Sequence, residues 1–312
     1  MRARTLVLGA CVLLLLAVPP IAELAKQPYY IDLVRRVMIF AIAAVSLNLI
    51  LGYGGLVSFG HAAYLGVGGY SVGILAFYGI HNGWLQWTVA ILASALVALA
   101  IGAISVRTRG IYFIMITLAF TQMLYYLGIS VDEYGGDDGM RLQVKSQFSG
   151  LIDLSDPVVF YYLVLALLLA CMYLVHRLVN SRFGMVLRAA KSNEARSRAI
   201  GFTPYPYHLA AFVIAGAMCG LAGALLANHT AYIAPAFMDW TRSGEIMFMV
   251  ILGGMATTPG PALGAFALLV VEDLLAGWTQ HWQVIVGPLL ILSVLFFKRG
   301  LAGLLPGGDK DG

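Results

Sequence analysis

The sequence has few charged residues and few cysteines. Only 11% of its 312 residues are charged and 61% are hydrophobic, whereas soluble domains average about 25% charged residues. The three cysteines, Cys11, Cys171 and Cys219, all lie in apolar segments, so the sequence does not indicate a disulfide framework. A basic patch with interleaved aromatic residues is also missing, which argues against a nucleic-acid partner. The composition indicates a membrane protein with several spans.

Motifs that bind nucleotides or metals are missing as well. The pattern G-x4-G-K-[ST] does not occur, so the chain has no P-loop, and ATP-driven work would need separate subunits. H-E-x-x-H is absent, and the acids between residues 131 and 157 do not have EF-hand spacing. We therefore expect no catalytic residue, no metal site and no cofactor bound by this chain.

One catalytic pattern does occur. Gly69 to Gly73 matches G-x-S-x-G, with Ser71 at its centre. That motif works only at a strand–turn–helix junction with histidine and acid partners. Here it lies in an apolar span, so an intramembrane hydrolase is the weaker interpretation. It would require Ser71 to react with a serine-directed probe.

The apolar runs predict an all-α transmembrane bundle of eight to ten helices in a single domain, residues 1–312. The ten-helix version places spans at 1–25, two within 37–80, and then 84–106, 110–130, 158–175, 208–228, 243–258, 260–277 and 282–297. The first run lacks an A-x-A cleavage site and is interpreted as a span. Both termini are then cytoplasmic, with thirteen Lys and Arg inside and six outside. Arg35 and Arg36 fall outside and are interpreted as an interfacial turn.

An uncharged stretch from Val37 to Ile80 contains the segment GYGGLVSFGHA. Its glycines predict a broken helix, and at membrane depth irregular backbone needs protein or water around it. Broken helices mark substrate sites in many transporters, but small residues also serve close helix packing, and both interpretations stay open. A second GG pair near residue 254 indicates an internal inverted repeat. The candidate residues of a translocation path are Asn48, Gly54, Gly55, Ser58, His61, Gly253 and Gly254.

The polar candidates in this stretch have alternative roles. His61 is either a gate or substrate contact, or a buried neutral histidine satisfied by a neighbour. Asn48 and Ser58 are equally suited to bind a substrate or an adjacent helix.

The densest charge lies between Arg177 and Pro206, where six cationic residues accompany one acid, Glu194. A charge at bilayer depth costs ~2.5–3.5 kcal/mol, so this stretch (about 178–207) is expected to be a cytoplasmic loop. Within it, Ser192 or Asn193 as a cap and Gly201 as a terminator predict a helix of about two turns. Such a helix is too short to be stable alone. The segment is either a solvated loop that sets topology or a docking element.

Glu194-Ala195 followed by Gly201 resembles the E-A-A-x3-G signature of ABC importer permeases, with Arg196 in place of the second alanine and one extra residue before the glycine. The contexts SRFGMVLRAAKSNEARSRAIGF and SLNLILGYGGLVSFGHAAYLGVGGY resemble LivM-type permeases of branched-chain amino acid importers. The resemblance implies a coupling helix that docks on an ATPase subunit. It assigns ATPase coupling to Arg188, Lys191, Asn193, Glu194, Ala195, Arg198 and Gly201.

The resemblance also implies partners and a location. They are a second, similar permease, two ATPases that hold ATP and Mg²⁺, an external substrate-binding protein and the bilayer of a bacterial inner membrane. The loop at about 131–157 would face the binding protein, and its GGDDG resembles the family's T-G-G-x-x-G turn, with Tyr134 replacing threonine. Branched-chain or hydrophobic amino acids are the implied substrates. Urea, short amides and small aromatic acids remain alternatives, as does a self-sufficient channel or secondary carrier.

Overall fold

The computed structural model describes residues 2–24, 26–148, 150, 153–279, 281, 284–288, 291 and 300–304. Within them the chain is mostly helical, as the sequence predicts. The helices are α1 (Arg2–Leu24), α2 (Tyr29–Asn48), α3 (His61–Phe77), α4 (Gly83–Ser105), α5 (Ile111–Ser130), α6 (Pro157–Val179), α7 (Arg182–Ser192), α8 (Glu194–Ala199), α9 (Pro204–Thr230), α10 (Trp240–Gly253) and α11 (Gly260–Ala276). Two short strands, β1 (Met140–Arg141) and β2 (Tyr232–Ile233), complete the regular structure.

Five of these helical segments are long and apolar enough to cross a membrane. They are 29–53, 83–105, 111–130, 157–179 and 204–230, and two shorter apolar helices lie at 9–24 and 61–77. The chain is therefore a helical membrane bundle. Helix α10 ends at Gly253, five residues before the predicted end of its span. Most of the predicted span at 282–297 lies outside the described residues.

The centre of the bundle is α2. From Val37 to Asn48 every residue is buried, and α2 lies against α6, α9, α10 and α11. Helix α9 packs on the other side against α3 and α4. A Cβ at Gly68 would lie 2.1 Å from the carbonyl oxygen of Gly220, and one at Gly223 would lie 1.9 Å from that of Leu65. Glycine at these positions lets the backbones of α3 and α9 touch.

Arg35 and Arg36 lie inside α2 and not in an interfacial turn, so that prediction is wrong. Arg35 is 5% exposed. Its Nε donates to His229 Nδ1 at 2.9 Å, and it pairs with Asp32. The guanidinium also lies 4.7 Å from the ring centroid of Phe160. These contacts allow a buried arginine within the first turns of the helix.

The loop between α5 and α6 is pinned to the end of α9. Strand β1 pairs antiparallel with β2, and the amide of Ser146 donates to Asn228 Oδ1 at 2.8 Å. The expected glycine turn is present, with Gly135, Gly136 and Gly139 all at positive φ. Burial lowers the pKa of Lys145 in this loop, and nearby Arg35 lowers it further against the opposite effect of Asp32 and Asp153. The described residues of the loop therefore form a cap on one end of the bundle.

The basic segment is not the open loop that its charge predicted. Helix α6 runs into it as far as Val179, α7 and α8 occupy most of it, and Pro204 begins α9. Helix α7 buries Gly184, Val186, Leu187 and Ala190, which form one apolar face. Because this face packs on the bundle, the segment is an ordered pair of helices at the end opposite the β-paired loop.

Candidate functional site

The predicted helix break between α2 and α3 is present. Helix α2 ends at Asn48, a π-helical turn runs from Leu49 to Tyr53, and the backbone is irregular until His61. Gly55 has φ of +72°, a conformation that costs other residues roughly 1–2 kcal/mol. A Cβ at Gly54 would lie 2.7 Å from the carbonyl oxygen of Ile50. Both candidate glycines are therefore required by the backbone of the break.

Side chains from two neighbouring helices satisfy the free backbone groups of this break. The amide of Phe59 donates to Thr117 Oγ1 at 3.2 Å, and Thr121 Oγ1 donates to the carbonyl oxygen of Phe59 at 3.0 Å. Ser243 Oγ on α10 accepts from the amide of Ala62 at 2.9 Å. Buried irregular backbone requires such partners. These three residues are not predictable from the sequence, because isolated Thr and Ser in apolar helices give no signal.

Asn48 joins this break to a second one. Its Nδ2 donates to the carbonyl oxygen of Thr257 at 2.9 Å, and its Oδ1 accepts from the amide of Ala256 at 3.0 Å. Ala256 and Thr257 lie in the non-helical link between α10 and α11, two and three residues after Gly254, whose φ is +112°. The two Gly-Gly segments are thus in direct contact. Of the two roles left open for Asn48, the structure places it against a neighbouring segment.

Ser58 and His61 are both directed into the protein. Ser58 Oγ accepts from the amide of Gly60 at 3.1 Å and is 1% exposed. His61 is fully buried, with Nε2 3.0 Å from Ser46 Oγ and its ring edge-on to Tyr64. Both residues are therefore positioned as parts of the break. Two neighbours in the break are partly exposed: Val57, which precedes Ser58, and Phe59, which follows it.

The glycines of the second break serve close packing. A Cβ at Gly253 would lie 1.9 Å from the carbonyl oxygen of Gly260, and one at Gly264 would lie 1.8 Å from that of Met249. Helices α10 and α11 therefore cross at backbone contact. For Gly253 the packing interpretation accounts for the residue, whereas Gly254 also ends α10 through its positive φ.

The short helix predicted in the basic segment is α8. Of the two predicted caps, Asn193 fills the position, with Oδ1 accepting from the amide of Arg196 at 2.9 Å, while Ser192 ends α7. Gly201 follows at φ of +94°, and nothing lies near its hypothetical Cβ. The cap and the left-handed glycine are as the sequence predicted.

Glu194 is engaged within the chain. Its carboxylate pairs with Arg109, which ends the α4–α5 connection, and accepts from Arg198 Nη2 at 2.7 Å. Its side chain is 16% exposed, against 62% for Arg109 and 64% for Arg198. The sequence analysis did not identify Arg109. The acid of the signature is thus directed inward and fixes α8 to the start of α5.

Lys191 reaches from the end of α7 to the first break. Its Nζ donates to the carbonyl oxygen of Gly52 at 2.6 Å. Its stem covers Gly55, where a Cβ would lie 2.8 Å from Lys191 Cγ. This contact joins residues 139 positions apart in the chain. Arg188 instead turns back to the end of α6, donating to the carbonyl oxygen of Val179 at 3.4 Å.

The surface around α8 is apolar as well as basic. Ile200 is 69% exposed and Phe202 is 46% exposed. Ala195 and Arg196 are exposed beside them. Exposed apolar groups rimmed by polar ones mark interaction surfaces.

Ser71 lies inside α3, and its Oγ donates to the carbonyl oxygen of Val67, one turn earlier, at 2.7 Å. The strand–turn–helix context of a nucleophile elbow is therefore replaced by continuous helix.

The amino-acid sequence of the chain is similar to those of a known protein family. A profile described as the permease component of branched-chain amino acid transport systems matches residues 29–295. The high-affinity branched-chain amino acid transport system permease protein LivM of Escherichia coli is 28% identical over 87% of this chain and 69% of its own length. The probable LivM of Methanocaldococcus jannaschii is 26% identical over 88% of this chain and 94% of its own. The LivH permease of E. coli is 24% identical over 85% and 91%. No solved structure matches.

Proposed function

The chain belongs to the family of permease components of branched-chain amino acid transport systems, and from this premise we propose that it forms part of the translocation path of an ATP-driven importer. It is a transport subunit and not an enzyme. Its relatives are named as permeases for branched-chain amino acids, and we propose substrates of that class. ATP and Mg²⁺ would be held by two partner ATPases, since the sequence has no P-loop.

The observation that carries the coupling role is the position of α8. It is an exposed short helix fixed at both ends, by the Asn193 cap and the Glu194 pairs on one side and by Gly201 on the other. Exposed Ile200 and Phe202 give it an apolar surface for a groove on an ATPase. A rigid contact of this kind would pass movement of the ATPases to the bundle.

Inside the chain, the proposed route runs from α8 through α7 to the first break. Lys191 ends on Gly52, and Asn48 connects that break to the second one. Each break is irregular backbone between two apolar helices, α2 and α3 for the first and α10 and α11 for the second, and we propose that the first lines the path. Asn48, Ser58 and His61 would keep its shape, whereas Val57 and Phe59 would face the path.

Three further assignments complete the proposal. A second permease of similar fold would pair with this chain, because both LivM and LivH relatives match it. An external binding protein would contact the loop at 131–157. The membrane would be the bacterial inner membrane, with both termini cytoplasmic.

The test uses inside-out membrane vesicles that contain the chain with its co-expressed partner subunits. Wild-type vesicles should couple leucine transport to ATP, and the ATPases should co-purify with the chain. A chain that purifies alone and transports without ATP would be a carrier or a channel, and the proposal would be wrong.

The variant arm of this test exploits the Glu194–Arg109 pair. We expect Glu194→Arg and Arg109→Glu, each alone, to place like charges together and release the ATPases or abolish coupling. Because Arg109 is 62% exposed, loss of the pair itself costs about 1 kcal/mol or less, and repulsion between the like charges adds to that cost. The double exchange should restore much of the loss. Arg182→Glu, an exposed residue outside this pair, is the matched control for charge alone.

A further inference from the structure

A cleft of about 440 Å³ lies between the middle of α5 and the start of α10. Its lining combines one carboxylate, one amide, three aromatic rings and one aliphatic side chain: Asp239, Gln122, Tyr125, Tyr126, Trp240 and Leu118. No residue of the two breaks belongs to it. We propose that this cleft is a substrate subsite that receives a primary ammonium group beside a short apolar side chain. The inference rests on the proposed transport function and names a site for it.

The cleft lies at membrane depth. Its α5 residues run from Leu118 to Tyr126 in a span that extends from Ile111 to Ser130, so it covers ~12 Å from the middle of that helix outward. The segment before α10 is held at this level because Met238 packs against Gly66 of α3 and Gly128 of α5. An acid and an amide at this depth cannot face lipid without a large cost. The cleft must therefore open to water or to another protein.

The charge of the cleft is negative. Asp239 Oδ1 caps α10 by accepting from the amide of Thr241 at 2.8 Å. The neighbouring cation, Arg242, donates to Glu245 at 2.7 Å and is thereby neutralised. None of the cleft-lining residues is cationic, so the site attracts cations and repels anions.

The remaining groups fit an amino acid that enters by its ammonium end. In the described part of the chain the Gln122 amide makes no hydrogen bond, which leaves it available to a ligand. The rings of Tyr125, Tyr126 and Trp240 provide faces that attract an ammonium group and surfaces that cover an aliphatic one. Among the long apolar helices, α5 also has the smallest share of buried residues, 17% of its apolar 18-residue stretch. Its exposed face would allow a second permease to form the other side of the site.

The test is thiol labelling in the assembled transporter. Cysteine replaces Gln122 in a Cys11→Ser parent, since Cys171 and Cys219 are buried. We expect a trimethylammonium methanethiosulfonate to react on the order of fivefold faster than the sulfonate reagent of similar size, because of the Asp239 charge. Asp239→Asn should remove this preference. Cysteine at Leu96, an exposed residue in the middle of α4, is the lipid-facing control and should be inert.

Protection defines the ligand. Leucine and 3-methylbutylamine should slow labelling of the cysteine at 122, whereas 4-methylpentanoate, which lacks the ammonium group, should not. Protection should disappear with Asp239→Asn. A thiol inert to both reagents, equal rates for the two reagents, or equal protection by the carboxylate would each overturn the subsite. Absence of leucine uptake by the unmodified transporter would instead refute the proposed function, and the labelling result would stand separately.

Discussion

At the scale of single residues, Lys191 connects α7 to the break between α2 and α3. Its stem lies over Gly55 and its ammonium group ends on the carbonyl oxygen of Gly52. A hydrogen bond with a charged partner contributes ~1.5–3 kcal/mol, so a small movement of α7 is resisted at the break. The family resemblance implied that Lys191 contacts an ATPase subunit. That role stays a prediction, but the amine already has a partner in the chain.

We therefore expect Lys191→Met to weaken transport more than assembly. Methionine keeps an unbranched stem over Gly55 and loses only the donor. ATP-driven uptake should fall several-fold while ATPase retention stays normal, and Lys191→Arg should retain part of the uptake. Arg182→Met is the matched control, because Arg182 is exposed at the start of α7, away from the α8 surface, and its side chain has no ion pair in the described residues. Uptake that is equal in Lys191→Met and in the control would show that the contact transmits nothing.

At the scale of elements, the break between α2 and α3 alternates between exposed and buried positions. Val57 and Phe59 are partly exposed, whereas Ser58 between them is 1% exposed and bonded to its own loop. A cysteine at 57 or 59 should therefore react with small hydrophilic thiol reagents, and the rate should change when ATP and substrate drive transport. A cysteine at 58 is the buried control. Inert thiols at both 57 and 59 would mean that the break only packs.

The break was predictable because its cause is local. Four glycines and the absence of charge stand next to each other in the sequence, and each prevents a regular, lipid-facing helix. Its partners were not predictable, since Thr117, Thr121 and Ser243 lie far away in the sequence and look like ordinary residues of apolar helices. The presence of the break follows from composition, and its attachment follows from tertiary packing.

For helix α7, in contrast, the presence of the element itself was not predicted. Its cations suggested a solvated loop. Its helical structure instead depends on four small or apolar residues at helical spacing: Gly184, Val186, Leu187 and Ala190. Charge predicts the side of the membrane on which α7 lies, while the apolar face fixes its secondary structure. For α8 the cap and the glycine sufficed, because both act within one turn of the helix they limit. The ion pair of Glu194 with Arg109, distant in sequence, was missed for the same reason as the threonines.

At the scale of the whole molecule, α5 separates two differently built ends. At its start, Arg109 pairs with Glu194 of α8, and at its end the chain enters the loop held by β1 and β2. A helix of 20 residues measures ~30 Å, the thickness of the hydrocarbon core. We therefore expect the basic helices and the β-paired loop to lie on opposite sides of the membrane. The excess of Lys and Arg predicts that the basic side faces the cytoplasm.

This orientation can be tested with two cysteines in the Cys11→Ser parent. Gln143 is exposed in the β-paired loop, unlike Ser146, whose hydrogen bond to Asn228 makes it a poor labelling site. Ala195 is exposed on α8. An impermeant maleimide should label a cysteine at 143 in intact spheroplasts and one at 195 only after permeabilisation. The reverse pattern would place α8 outside, where no ATPase could dock, and labelling of both from one side would contradict α5 as a span.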